Sequence, residues 1–135
     1  MPTRILIADD DETIRLLLHR LLESHPSWEV CGEASDGREA IDKAAQLKPD
    51  LIILDLAMPV MNGFQAAEQL SRIHPEVPLL LVSVQQVTSQ VEQSARKAGF
   101  RGAVTKSSGV EVVAGVEALL RKDTFFVIDG SHRVA

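Results

Sequence analysis

Cysteine is almost absent from this chain, and it has no long apolar segment. Among the 135 residues there is a single cysteine, Cys31, so no disulfide can form within the chain and a reducing compartment is expected. The first apolar run reaches an acid, Asp9, after only four residues, which is too short for a signal peptide. No run approaches the length of a transmembrane helix. These absences predict a soluble, cytoplasmic protein.

Positive charge is also scarce. The formal net charge is -5, which argues against a surface that binds nucleic acid or an anionic membrane directly. The four histidines show no spacing typical of metal ligands. The length and the apolar content of 45% fit one globular domain with its own core.

Apolar runs alternate with stretches of helical spacing along the chain. The central run, 51–54, is apolar at every position, as in a strand buried on both faces. The alternation predicts an α/β protein, in which a mostly parallel sheet of five strands carries helices on both faces. The predicted strands cover about residues 5–8, 28–34, 51–54, 77–82 and 102–105. The predicted helices cover about residues 12–24, 36–48, 64–74, 86–98 and 109–122.

Polar side chains stand where four of the predicted strands end. They are Asp9 and Asp10, then Asp55, Ser83 and Lys106. The carboxyl ends of parallel strands share one edge of the sheet, so these side chains are expected to meet there.

Crowded carboxylates need compensation. Two of them about 4 Å apart repel by roughly 4 kcal/mol at an effective dielectric constant near 20. One lysine cannot balance three acids, so a hard divalent cation is expected. A set of oxygen ligands favours Mg²⁺, with Mn²⁺ as the alternative, over zinc. Such a site suits phosphoryl transfer, with Asp55 as a nucleophile and with Ser83 and Lys106 holding the phosphoryl oxygens.

Four motifs in order carry a family resemblance: the paired acids after "ILIA", then "LDLAMPVMNG", "LLLVS" and "GAVTK". Over about residues 3–122 the chain resembles a response-regulator receiver domain of two-component signalling. The resemblance implies a doubly wound, flavodoxin-like (βα)5 fold with strand order 2-1-3-4-5. The receiver domain is expected over 1–122. Residues 123–135 are expected to form a tail or the start of a linker, with Phe125-Phe126-Val127-Ile128 docked on the domain. The segment "LLRKDTFF" resembles the end of receivers that precede helix-turn-helix output domains, and no output domain is expected within the tail.

The resemblance also implies a ligand set for Mg²⁺. Asp10 and Asp55 would bind the ion through their side chains, and Asp9 would reach it directly or through water. The backbone carbonyl of Ala57 would be a further ligand. By contrast, Asp11 is expected to cap the first helix, and Arg15 is expected on a solvated face of that helix together with Arg20.

The remaining roles concern the phosphoryl group. The resemblance makes Asp55 the phosphoacceptor, supplied by a histidine kinase or a phosphotransfer protein, Ser83 the switch hydroxyl and Lys106 the phosphoryl contact. The face formed by 86–98, 102–105 and 109–122 would then meet a partner or a second copy of the chain. No enzyme activity is expected beyond self-phosphorylation from small phosphodonors and autodephosphorylation.

Four positions depart from the family pattern. Val84 is larger than the usual residue after the switch hydroxyl, and Ala103 replaces an aromatic that many receivers carry. Ser107 stands where proline is common, and Ala57 offers no side chain to steer a hydrolytic water. These departures bear on how the switch is read and how long the phosphoryl group persists, not on the acidic pocket.

Two other functions remain as alternatives. One is a pseudo-receiver that binds partners without phosphorylation. The other is an aspartate-nucleophile phosphatase, but those enzymes carry Asp-x-Asp after the strand, and Asp55-Leu56-Ala57 lacks the second acid.

Overall fold

The computed structural model describes residues 2–84, 86–106, 108–128 and 131–134, and of Ile128 and 131–134 it describes the backbone alone. Ser107, one of the four departures, lies outside the described residues. Strands and helices alternate as the sequence predicts, and two further strands follow the last helix. In order they are β1 (Thr3–Ala8), α1 (Glu12–Glu23), β2 (Trp28–Ala34), α2 (Gly37–Leu47), β3 (Leu51–Leu54), α3 (Gly63–Ile73), β4 (Leu79–Ser83), α4 (Ser89–Ala98), β5 (Gly102–Thr105), α5 (Gly109–Leu120), β6 (Phe125–Ile128) and β7 (Ser131–Val134).

The strands form one sheet in the order β2-β1-β3-β4-β5-β6-β7. Neighbours from β2 to β6 are parallel, and β7 returns antiparallel to β6. The predicted order of the first five strands is therefore confirmed, and β2 is an edge strand. The tail segment predicted to dock does so as β6, which pairs with β5.

Helices cover both faces of the sheet because alternate residues of each strand point to opposite sides. Side chains on one face pack against α1 and α5, and those on the other against α2, α3 and α4. Every residue of β3 is buried, which explains its uninterrupted apolar sequence. None of the helices in the described ranges has the length and apolar content needed to cross a bilayer.

Side-chain caps set the helix boundaries. Asp11 accepts hydrogen bonds from the backbone N–H groups of Thr13 and Ile14, so its predicted role as the cap of α1 is confirmed. The prediction that the fourth helix begins near residue 86 is wrong. The Thr88 side chain accepts the N–H of Val91, which starts α4 at Ser89.

Candidate functional site

The first and third strands carry acids at the same level of the sheet. Ala8 pairs with Leu54, and the Asp55 N–H donates to the Ala8 carbonyl at 2.9 Å. Asp9 follows Ala8 and Asp55 follows Leu54, so the two acids lie side by side. Both are buried, with exposed fractions of 1% and 6%.

Asp10 completes the acidic cluster. Its side chain is exposed, whereas those of Asp9 and Asp55 are buried, so the cluster opens to solvent on the Asp10 side. One carboxylate oxygen from each of the three residues lies within 4.8 Å of the other two. The structure thus brings together the three acids that the sequence predicted as a metal site.

Lys106 enters this cluster from the end of β5. Its ammonium nitrogen forms an ion pair with Oδ2 of Asp9 and lies 3.1 Å from Oδ1 of Asp55. Oδ2 of Asp9 is buried, and the Lys106 ammonium is the group that faces it. One cation therefore faces two buried anions, and part of the negative charge stays uncompensated by protein groups.

The protonation equilibria reflect this imbalance. Burial, followed by the Asp9 carboxylate, raises the pKa of Asp55 above its usual value, although Lys106 and the Leu56 N–H act in the opposite direction. Burial lowers the pKa of Lys106, but its contacts with Asp9 and Asp55 outweigh burial and leave that pKa raised. Each of the two groups therefore holds its proton more strongly than the free amino acid side chain does.

Ser83 ends β4, next to the strand that leads into Asp55. It is buried, with 6% of its surface exposed, and it pairs with Thr105 of β5. Its carbonyl accepts the N–H of Lys106 at 2.7 Å. This bond fixes the backbone of the predicted switch residue to that of the predicted phosphoryl contact.

A tight loop follows Asp55 and leads into α3. Asn62 and Gln65 cap that helix reciprocally. The Gly63 N–H donates to the Leu56 carbonyl at 2.9 Å, and a Cβ at Gly63 would overlap the carbonyl oxygen of Asp55. Only glycine allows this close approach, so Gly63 fixes the backbone path beyond Asp55.

One residue that supports the site was misplaced by sequence reasoning. Arg15 does not lie on a solvated face as predicted, because 16% of its side chain is exposed. Its guanidinium donates to the Asp9 carbonyl at 2.6 Å and to Oε1 of Glu33 at 3.1 Å. The helical pattern alone carries no signal for this contact, since it depends on where β2 places Glu33.

The remaining predicted positions lie around this cluster. Ala57 is exposed in the loop after Asp55, and the role of its carbonyl stays a prediction. Val84 is exposed at 69%, while Ala103 is fully buried. Ala103 is thus a core position, and it pairs with Phe126 of β6.

Comparison with known proteins agrees with this geometry. The family model for the response regulator receiver domain matches residues 5–117. The chain belongs to the response regulator receiver family. Receiver domains are signalling switches, so the family shows the general class of function.

Individual relatives fit the same domain. The chain is 36% identical over 106 residues to the chemotaxis protein CheY of Thermotoga maritima, covering 78% of this chain and 87% of that protein. It is 44% identical over 80 residues to a protein-glutamate methylesterase/protein-glutamine glutaminase of Geobacillus kaustophilus, covering 59% of this chain. The match spans only 23% of the length of that methylesterase. The methylesterase activity therefore cannot be carried over to this receiver domain.

A solved structure has the same fold. The two-component response regulator of the LuxR family from Aurantimonas sp. SI85-9A1 superposes with a TM-score of 0.85 at 32% identity. The superposition covers 90% of this chain and 87% of that one. The predicted flavodoxin-like receiver fold is thereby confirmed.

Proposed function

We propose that this receiver is a phosphorylatable switch in which Asp55 accepts a phosphoryl group from a histidine kinase or a phosphotransfer protein in a Mg²⁺-dependent reaction. The observation that carries the proposal is the cluster of Asp9, Asp10 and Asp55 within 4.8 Å, with Lys106 against the two buried acids. A cytoplasmic location accompanies this proposal, in keeping with the single free cysteine.

The donor set fits a hard divalent cation. Its three side chains offer carboxylate oxygens only, and a single lysine faces the two buried acids. Asp10 and Asp55 would hold Mg²⁺ through their side chains, and Asp9 would reach the ion directly or through water. The Ala57 carbonyl would be a further ligand. When bound, Mg²⁺ neutralises charge on the phosphoryl oxygens and on the carboxylates.

The chain's own groups carry out the remaining chemistry. A carboxylate oxygen of Asp55 attacks phosphorus, so a P–O bond forms as the P–N bond to the donor histidine breaks. The bonding electron pair stays on the histidine nitrogen, and no proton is required from Asp55. The protonated Lys106 stabilises negative charge on the phosphoryl group, and the Ser83 hydroxyl donates to one of its oxygens.

Phosphorylation would then change the surface. It adds about two negative charges at a rim that already holds three acids. Ser83 and Lys106 move toward the new oxygens, and the segment after Ser83 shifts together with α4. The face of α4, β5 and α5 thereby changes its affinity for a partner or for a second copy of the chain.

Intact-protein mass spectrometry with acetyl phosphate and Mg²⁺ tests the proposal. Wild type is expected to gain one phosphoryl group, Asp55→Asn none, and Asp42→Asn, which changes an exposed acid of α2, the same as wild type. An equal gain in Asp55→Asn would reject Asp55 as the acceptor. No gain and no Mg²⁺ binding in wild type would favour the pseudo-receiver, and turnover of a phosphate ester would favour the phosphatase.

A further inference from the structure

Strand β6 places an aromatic residue beside the small side chain of β5. Ala103 pairs with Phe126, so both side chains point to the same face of the sheet. Both are fully buried, and both belong to the apolar cluster that packs against α4. Phe126 and Ala103 are therefore cross-strand neighbours within one buried cluster.

A side chain of helix α4 lies over the ring of Phe126. The guanidinium carbon of Arg96 lies 4.1 Å from the centroid of the Phe126 ring, a cation–π distance. Arg96 is in turn paired with Glu92 one turn earlier at 2.8 Å, and Glu92 is buried, with 8% of its surface exposed. The docking of β6 thus depends on the position of α4.

The same helix is connected to the candidate site. Between Ser83 and the Thr88 cap of α4 the chain has only four residues, 84–87. Val87 in this segment is 1% exposed and belongs to the same apolar cluster as Phe126. A shift of the Ser83 end of β4 is therefore expected to act on α4, and through Arg96 on the ring of Phe126.

We propose that β6 is a moving part of the switch, docked on β5 through Phe126 and released when phosphorylation displaces α4. This inference rests on the proposed phosphorylation of Asp55. Under this proposal the segment after α5 is a regulated element. In its docked position, β6 occupies the edge of β5, which is part of the face proposed to meet a partner. The coupling is reciprocal. If phosphorylation weakens the docking of β6 by some factor, a change that removes the docking must favour the phosphorylated conformation by the same factor.

Hydrogen exchange on the full chain, with and without beryllofluoride and Mg²⁺, tests the coupling. The Phe125 N–H donates to the Arg101 carbonyl at 3.0 Å, so the peptide over 123–128 reports on docking. Its amides are expected to exchange about fivefold faster or more with beryllofluoride, alongside a change over 84–98. Unchanged or slower exchange over 123–128, while 84–98 responds, would overturn the proposal. No response in either segment would instead show that the proposed phosphoacceptor chemistry fails.

Two variants and a matched control test reciprocity. Arg96→Gln removes the cation from the ring, and Phe126→Leu removes the ring while keeping an apolar side chain. Both are expected to lower the half-saturating beryllofluoride concentration about threefold or more. Lys97→Gln, an exposed neighbour on α4, is expected to match wild type. Equal half-saturating concentrations in all four proteins would overturn the coupling. Because Arg96 is exposed, the Arg96→Gln variant still tests the coupling if Phe126→Leu fails to fold.

Discussion

The ammonium of Lys106 lies 3.1 Å from Oδ1 of Asp55, and more than nine-tenths of each side chain is buried. This ion pair acts to lower the pKa of Asp55, but burial and the neighbouring Asp9 outweigh it and leave that pKa raised. The ionised acid is therefore a cost to the fold in the absence of a divalent cation. The arrangement proposed to bind Mg²⁺ and a phosphoryl group is therefore expected to lower the stability of the fold.

Asp55→Asn should therefore stabilise the fold when no divalent cation is present. The folded-state pKa of Asp55 lies above the usual 3.8, so the penalty is absent below that value and grows as the pH rises through the folded-state pKa. Near neutral pH we expect the free energy of unfolding to increase by about 1–2 kcal/mol. Urea unfolding in chelator, from below pH 3.8 up to neutral pH, measures it. Asp42→Asn is the control, and a less stable Asp55→Asn protein would contradict the electrostatic account.

Mg²⁺ should bind the acidic cluster and stabilise the folded protein. The unfolding temperature is expected to rise with Mg²⁺ concentration, since the ion neutralises Asp9, Asp10 and Asp55 together. Asp10→Asn should weaken binding roughly tenfold or more, because it removes one full charge within a few ångströms of the ion. Asp11→Asn is a close control. Its side chain caps α1, and asparagine caps as well as aspartate.

Calorimetric titration of the two variants separates these roles. Loss of Mg²⁺ affinity in Asp10→Asn together with unchanged affinity in Asp11→Asn is the expected pattern. Equal affinity in Asp10→Asn and wild type would remove Asp10 from the ligand set.

The acidic cluster could be predicted from sequence because each part of its signal is local. An apolar run such as 51–54 identifies a buried strand, and the residue that ends it must lie at the carboxyl edge of a parallel sheet. No knowledge of long-range contacts was needed to bring Asp9 and Asp55 together. The alternation of strands and helices fixed the rest of the arrangement.

Contacts that depend on a distant partner could not be predicted in the same way. The apolar run after Asp123 becomes a strand only because the edge of β5 is available to pair with it. Arg15 faces the Asp9 carbonyl because Glu33 on β2 holds its guanidinium. The start of α4 depends on whether the Thr88 hydroxyl reaches the Val91 N–H, a choice between adjacent polar residues that periodicity does not distinguish.

His19 should give the stability a small dependence on pH. Its Nδ1 lies 2.9 Å from Glu33 and its Nε2 lies 3.1 Å from Glu23. The hydrogen bond to Glu33 is the main cause that raises the pKa of His19 above 6.5, with burial opposing and Glu23 adding to it. The stabilisation that protonated His19 gives the fold is therefore complete below pH 6.5, the pKa of His19 in the unfolded chain. It is lost as the pH rises through the folded-state pKa.

The size of this effect is limited by solvent, since about a third of the His19 side chain is exposed. We expect about 0.5 kcal/mol or less, measured as the difference in free energy of unfolding between wild type and His19→Gln across this pH range. A difference that grows with pH would contradict the assignment.

Val60 should be a strained residue beside the site. The Met61 N–H donates to the Pro59 carbonyl at 2.6 Å, and the residue between them has a φ of 66°. This is a classic γ-turn with a β-branched residue at its centre, a conformation that costs about 1–3 kcal/mol. Asparagine tolerates positive φ far better than valine. We therefore expect Val60→Asn to raise the free energy of unfolding by about 1 kcal/mol.

Val84→Asn is the matched control for this change. Val84 is also an exposed valine, at 69% against 82% for Val60, but its φ is not positive. Its replacement is expected to alter stability by no more than about 0.5 kcal/mol. Urea unfolding of both variants gives the comparison. If Val60→Asn were no more stable than Val84→Asn, the positive φ at Val60 would carry no strain, and the loop after Asp55 would be held without cost to the fold.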